Sequence, residues 1–129
     1  ATTTGVLFQV PYRFDGLERT ALIADEHFIV ERIVAGTEPA SLSTNERPLI
    51  LMSLGAPLEV STDASTASLS RYQTVLVPAS AQWCTVRAAE GDAAAFMFVT
   101  PPQDRERLAA QLLAAGAGQD VVDRFMEQF

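Results

Sequence analysis

The fold is decided by a strand-like stretch at residues 28–35, which reads FIVERIVA. This stretch is rich in β-branched and aromatic residues, its two charged residues are adjacent, and Gly36 ends it. A second apolar run, LILMSL at residues 49–54, ends at Gly55, and a third, AAFMFVT at residues 94–100, ends at a double proline. Short runs of this composition, bounded by glycine and proline, are typical of β-strands.

Further strand-like runs lie between these, at residues 58–60, 74–77 and 83–87, and residues 61–68 read as a polar loop. The runs recur about every ten residues and no helical pattern separates them. This spacing predicts a mainly β domain over residues 20–102, a small antiparallel β-barrel or sandwich.

The two ends of the chain differ from this β region. Residues 1–19 read as an extended lead-in, and residues 103–129 read as two short amphipathic helices, with Asp120 as a candidate cap for the second. The apolar stripe of the second helix consists of Val121, Val122, Phe125, Met126 and Phe129. Such stripes must be buried, so we expect the helical pair to pack on the barrel or on a partner, which includes a second copy of the chain.

Length, charge and cysteine content restrict the function classes. The 129 residues predict one domain, and a net charge of −7 argues against nucleic-acid and anionic membrane partners. The apolar run at residues 93–99 is much shorter than the ~20 residues that a membrane span needs, and no signal-like stretch is present, so we expect a cytoplasmic protein. All nine basic residues are arginines and alanine is abundant, which indicates a GC-rich bacterial genome.

The sequence offers no catalytic or metal-binding constellation. His27 is the only histidine and Cys84 is the only cysteine, so neither a Ser-His-Asp triad nor a cysteine-rich zinc site is indicated. Cys84 lies in a strand-like run, where a buried, inert thiol is the ordinary outcome. We therefore predict no catalytic residue and no metal ligand in this chain.

Three patterns within residues 20–100 resemble a known family. They are a strand of the form F-x-V-x-R, a strand that ends in a glycine turn, and a strand that ends in V-x-x-P-A. The residues that carry them are Phe28, Val30, Arg32, Gly55, Val75, Pro78 and Ala79. In these features the chain resembles the cupin superfamily, and within it the C-terminal cupin domain of type I mannose-6-phosphate isomerases.

The resemblance lacks the family's metal ligands. Paired histidines would fall within residues 41–44, a glutamate at Pro48 and a last histidine at Trp83, while Tyr72 replaces the opening glycine of the second motif. The resemblance therefore implies a metal-free cupin. Zinc is expected only in a separate catalytic domain, as in the family's enzymes, which interconvert mannose 6-phosphate and fructose 6-phosphate.

Two functions follow from this resemblance. In the first, the chain is the non-catalytic domain, or an excised fragment, of a mannose-6-phosphate isomerase-like protein of carbohydrate metabolism. Its partner is then the catalytic domain, or a second copy bound through the C-terminal helices. In the alternative, it is a stand-alone sugar-binding or sensory cupin without turnover, with a pocket near Trp83, Tyr72 and Gln82.

Two side-chain roles stay open at this point. Trp83 either fills the former metal site as an apolar plug, the preferred interpretation, or forms a platform for a sugar. Arg47 and Arg71 are candidate donors to a phosphate group.

Overall fold

The computed structural model describes residues 9–128, which form ten β-strands and two α-helices. The strands are β1 (Val10–Phe14), β2 (Leu17–Ala24), β3 (Ile29–Ala35), β4 (Ala40–Ser43), β5 (Leu49–Ser53), β6 (Leu58–Ser61), β7 (Thr66–Leu69), β8 (Thr74–Val77), β9 (Trp83–Ala88) and β10 (Ala94–Thr100). The helices are α1 (Arg105–Ala114) and α2 (Gln119–Glu127), and short 3-10 turns lie at Ala79–Ala81 and Pro102–Asp104.

The strands form two antiparallel sheets. The larger sheet has six strands in the order β1-β2-β3-β10-β5-β8, and the smaller has four in the order β4-β9-β6-β7. Apolar side chains from both sheets form one core, in which Phe96, Leu51 and Val86 are fully buried. This confirms the predicted mainly β, antiparallel sandwich with two short C-terminal helices.

Strict alternation along the central strand β10 shows how the sheets close on each other. In β10 every second residue is buried, and Phe96 and Phe98 point into the core. Phe96 is the cross-strand partner of Ile33 in β3, which is also fully buried. A one-residue shift of register would turn these apolar residues to solvent, so burial fixes the pairing.

The two helices pack on their own chain, over β1, β2 and the start of β3. Leu108 and Leu112, one turn apart on α1, form a second apolar core with Val122 and Phe125 of α2 and with Ile29 of β3. Neither helix in the described part of the chain is long and apolar enough to cross a membrane.

The predicted cap of the second helix is wrong by two residues. Gly118 is the N-cap, and its carbonyl accepts a hydrogen bond from the Val122 amide, so α2 begins before Asp120. Gly118 lies in an extended conformation and makes no side-chain cap bond, which is why the propensity-based rule selects the acidic residue instead. Phe129, the last member of the predicted stripe, lies outside the described residues.

The boundaries of the β region also differ from the sequence prediction. The lead-in predicted over residues 1–19 contains β1 and the start of β2, which form a hairpin through Asp15 and Gly16; residues 1–8 lie outside the described part. Both turn residues have positive φ, 51° and 77°, as a two-residue Asp-Gly turn requires. The polar loop predicted over 61–68 is shorter, because Thr66 already pairs with Ser61 across β6 and β7.

Candidate functional site

The interior positions at the end of β4 and the start of β9 are apolar. Leu42 and Cys84 are cross-strand partners and both point into the core, with Leu49 of β5 also buried. The buried Thr44 hydroxyl lies within hydrogen-bonding distance of the Ala79 and Gln82 carbonyl oxygens, 3.2 and 3.1 Å away. No group of three or more His, Cys, Asp or Glu residues within residues 9–128 is arranged to hold a metal ion.

The interpretation of Trp83 as a plug is wrong. Trp83 is 55% exposed and lies on the outer face of the smaller sheet, whereas its neighbour Cys84 is the buried one. Pro48 is exposed in the same way, next to the buried Leu49. The motif count placed Trp83 in the correct strand but on the wrong face of the sheet. Side chains in a strand alternate between the two faces, so a shift of one residue reverses the direction in which a side chain points.

Burial raises the pKa of the Cys84 thiol to about 11, since the charged thiolate is poorly solvated in the core. We therefore expect Cys84 to react with a disulfide reagent at pH 8 roughly 100-fold more slowly in the native protein than in urea. The neutral thiol favours the folded state below the thiol's unfolded pKa, and this contribution is lost as the pH rises through about 11. Equal rates in buffer and in urea would mean that the interior opens readily.

A cleft opens between the sheet edges formed by β7 and β8, and we call it the mouth cleft. Its volume is about 570 Å³. Its apolar lining includes Val60, Ala67, Val75, Val77 and Ala81, and its polar lining is Thr62, Asp63, Ser65, Ser80 and Gln82. An apolar surface with a few polar groups around it is the usual form of a small-molecule site.

The charge of the mouth cleft restricts what it can bind. Asp63 is its one charged side chain, and the described lining contains no arginine or histidine. A phosphate or carboxylate would meet a carboxylate and no compensating cation, within a chain of net charge −7. The cleft therefore suits a neutral ligand that exchanges hydrogen bonds with hydroxyl, amide and carboxylate groups.

The three predicted binding residues do not share one pocket. Gln82 lines the mouth cleft, and Trp83 borders a neighbouring depression on the outer face of the smaller sheet, which shares Thr62 and Asp63 with the cleft. Tyr72 is 64% exposed in the turn between β7 and β8. Tyr72 has a φ of 65°, in the left-handed region that favours glycine. This conformation agrees with the glycine expected at that position from the resemblance.

A buried ion cluster that the sequence analysis missed lies at the other side of the sandwich. Glu31 in β3 is fully buried and accepts two hydrogen bonds from Arg19, at 3.2 and 3.0 Å, and one from Arg107 of α1 at 2.9 Å. The Tyr12 hydroxyl also donates to Glu31. These contacts tie β1, β2, β3 and the first helix together.

The charges within the cluster determine the pKa values of Glu31 and Tyr12. Burial alone would raise the pKa of Glu31, but the guanidinium groups of Arg19 and Arg107 outweigh it and hold that pKa below its usual value. Burial and the adjacent Glu31 carboxylate raise the pKa of Tyr12, so this phenol stays protonated. Every charged group here is held by an opposite charge, which indicates a structural role.

The two arginines considered for phosphate binding already have partners. Arg47 donates to the buried Asp104 at 3.2 Å, and Asp104 is also paired with Arg107. The guanidinium carbon of Arg71 lies 5.5 Å from the centre of the Tyr72 ring, a cation–π distance. Neither arginine lines the mouth cleft.

Comparison with known proteins identifies the fold. The cupin domain of Schizosaccharomyces pombe Cnp3 matches 76% of this chain and 69% of its own, with 16% identity and a TM-score of 0.60. A putative ethanolamine utilization protein Q from Salmonella typhimurium matches 70% and 76%, with 17% identity and a TM-score of 0.57. KdgF from a Halomonas species matches 76% and 94%, with 14% identity and a TM-score of 0.57. No protein-family model and no curated protein matches the chain.

These similarities establish a cupin fold. They support, at the level of the fold, the resemblance to cupins that the strand patterns between residues 28 and 79 predicted. At identities of 14–17% the neighbours carry no information about ligand or activity. The finer resemblance to mannose-6-phosphate isomerase receives no support from them and stays a prediction.

Proposed function

We propose that this cupin domain binds a small, neutral, polyhydroxylated ligand in the mouth cleft and releases it unchanged. The observation that carries the proposal is the composition of the cleft, in which apolar side chains are combined with hydroxyl, amide and carboxylate groups and with no cation. An unphosphorylated sugar meets both requirements, since its C–H groups fit an apolar wall and its hydroxyls both donate and accept hydrogen bonds.

Turnover is not part of the proposal. Proton transfer in an isomerisation needs an acid and a base that converge on the substrate. Asp63 is the one titratable group in the described lining of the cleft, so a second proton-transferring group is missing there. A binding or sensory role matches this lining better than catalysis.

We expect the substitution Ala81→Leu to narrow the mouth cleft and to weaken the binding of a neutral mono- or disaccharide at least about tenfold, a cost of the size that overpacking imposes. Ala56→Leu is the matched control, because Ala56 is exposed and does not line the cleft. Isothermal titration calorimetry with a panel of neutral sugars measures both affinities. Absence of binding to the native chain across the panel, or equal affinity in the two variants, would contradict the proposal.

A second candidate function is the non-catalytic domain of a mannose-6-phosphate isomerase-like protein, together with its zinc-containing catalytic domain. It is favoured by an apolar pair on the outer face of the larger sheet, where the cross-strand partners Ile50 and Leu76 are both exposed. Under this hypothesis the chain forms a stoichiometric complex with an isolated catalytic domain of that enzyme class on size-exclusion chromatography, and Ile50→Asp, at a residue that does not line the mouth cleft, abolishes the complex. Saccharide binding in the mouth cleft would be unaffected by that change.

A further inference from the structure

Trp83 is out of place on the surface that carries it. The outward-facing positions of β4, β6 and β9 are otherwise Ser41, Ser43, Glu59, Ser61, Thr85 and Arg87, all of them polar. A large aromatic side chain on such a face buries no core and belongs to no apolar patch. The indole of Trp83 is therefore presented to solvent among polar side chains.

Next to Trp83 a row of hydroxyl groups crosses three strands. Thr85 is the cross-strand partner of both Ser41 in β4 and Ser61 in β6. Neighbouring strands are about 4.8 Å apart, so the three side chains form a line on one face of the sheet. Trp83 lies two residues from Thr85 on β9 and therefore points to the same side.

These residues enclose a depression of about 150 Å³, with Asp63 at its border. The Ser61 hydroxyl shares a hydrogen bond with Thr66 at 3.1 Å. By contrast, the hydroxyls of Ser41 and Thr85 and the carboxylate of Asp63 make no hydrogen bond to another residue within the described part of the chain. They are available to a ligand.

From this arrangement we infer that the depression beside Trp83 is a binding site for the pyranose ring of a neutral carbohydrate. The indole face packs against the C–H face of the ring, and the sugar hydroxyls exchange hydrogen bonds with Ser41, Thr85 and Asp63. The site lies on the outer face of the smaller sheet. It shares Thr62 and Asp63 with the mouth cleft, whereas Trp83, Ser41 and Thr85 line this depression and not the cleft.

Charge selects the class of carbohydrate. Asp63 accepts hydrogen bonds from sugar hydroxyls but repels phosphate, sulfate and carboxylate groups. Arg87 is the cation among the outward-facing residues of β4, β6 and β9. Two of its guanidinium nitrogens already donate to the Glu59 carboxylate, at 3.0 and 2.7 Å. A neutral glycan therefore fits the site better than a sugar phosphate or a uronic acid.

The experiment uses the fact that Trp83 is the only tryptophan in the chain, so that the fluorescence reports on the surroundings of this one side chain. We expect a saturable shift of emission to shorter wavelength when a neutral disaccharide from a panel of gluco-, manno- and galacto-configured sugars binds. Thr85→Val removes the central hydroxyl at nearly constant shape and is expected to weaken this response about tenfold. Tyr72→Ala removes another exposed aromatic side chain and is the control that should leave the response unchanged.

The outcomes separate this site from the mouth cleft. If the inference holds, Ala81→Leu retains the fluorescence response, and Trp83→Ala loses one binding event in calorimetry while its circular dichroism spectrum is preserved. The inference is overturned if no sugar in the panel shifts the emission, or if Thr85→Val responds as the native protein does.

Discussion

Replacing Glu31 by alanine is expected to lower the free energy of unfolding by about 3–5 kcal/mol. The side chains of Glu31 and Arg19 are 0% and 4% exposed, so the substitution would leave the Arg19 guanidinium in the protein interior without its carboxylate partner. Arg107 would lose one of its two carboxylates and retain Asp104. Urea denaturation followed by circular dichroism measures the change.

The control for this prediction is an ion pair of similar geometry on the surface. Arg87 and Glu59 are also joined by two hydrogen bonds, but their side chains are 39% and 27% exposed. Water screens this pair, so Glu59→Ala should cost at most about 1 kcal/mol. If Glu31→Ala proved as mild as Glu59→Ala, the buried cluster would contribute little to stability.

Acid unfolding gives an independent test of the same cluster. The pKa of Glu31 is lowered in the folded state by Arg19 and Arg107 despite its burial. The stability that this shift contributes is present above the unfolded pKa of about 4.3 and is lost as the pH falls through the lower, folded pKa. Glu31→Gln should therefore flatten the fall in stability below pH 4.3, and an unchanged slope in this variant would contradict the prediction.

The strands that were predictable from the sequence are the ones with strong local patterns. The prediction for residues 94–100 matches β10 in both bounds, because alternation and the following prolines are local signals. The first hairpin had an equally local signal, the Asp15-Gly16 turn, which the sequence analysis did not use. Face assignment failed at Trp83 because a motif count ignores whether a residue is odd or even within its strand.

For the buried cluster, the sequence indicated the buried carboxylate but not the residues that pair with it. Glu31 stands at an inward position of β3, between Ile29 and Ile33, and a charge at such a position predicts a buried partner. The identity of the partners was not predictable, since Arg107 lies 76 residues away and is brought to Glu31 by the packing of α1. The same holds for the mouth cleft, whose lining comes from β6, β7, β8 and the turn after β8.

The second large loss of stability is expected from a substitution in the apolar stripe of α2. Phe125 is fully buried among Leu108, Leu112 and Val122, in the core beneath the two helices. Phe125→Ala would leave a cavity there and is expected to cost about 3–5 kcal/mol. Leu113→Ala on α1 is the control, because Leu113 is exposed and should cost well under 1 kcal/mol.

The same burial changes how the predicted homodimer through the C-terminal helices must be tested. A charge at Phe125 would unfold this core and so would lower both stability and any dimer content, whichever surface forms the dimer. A charge reversal at the exposed Asp123 leaves the core intact, and a monomer–dimer shift measured by light scattering in that variant would report on assembly alone. Unchanged stability in Phe125→Ala would instead mean that α2 contributes little to the folded domain, and that its stripe is free to pack on a partner.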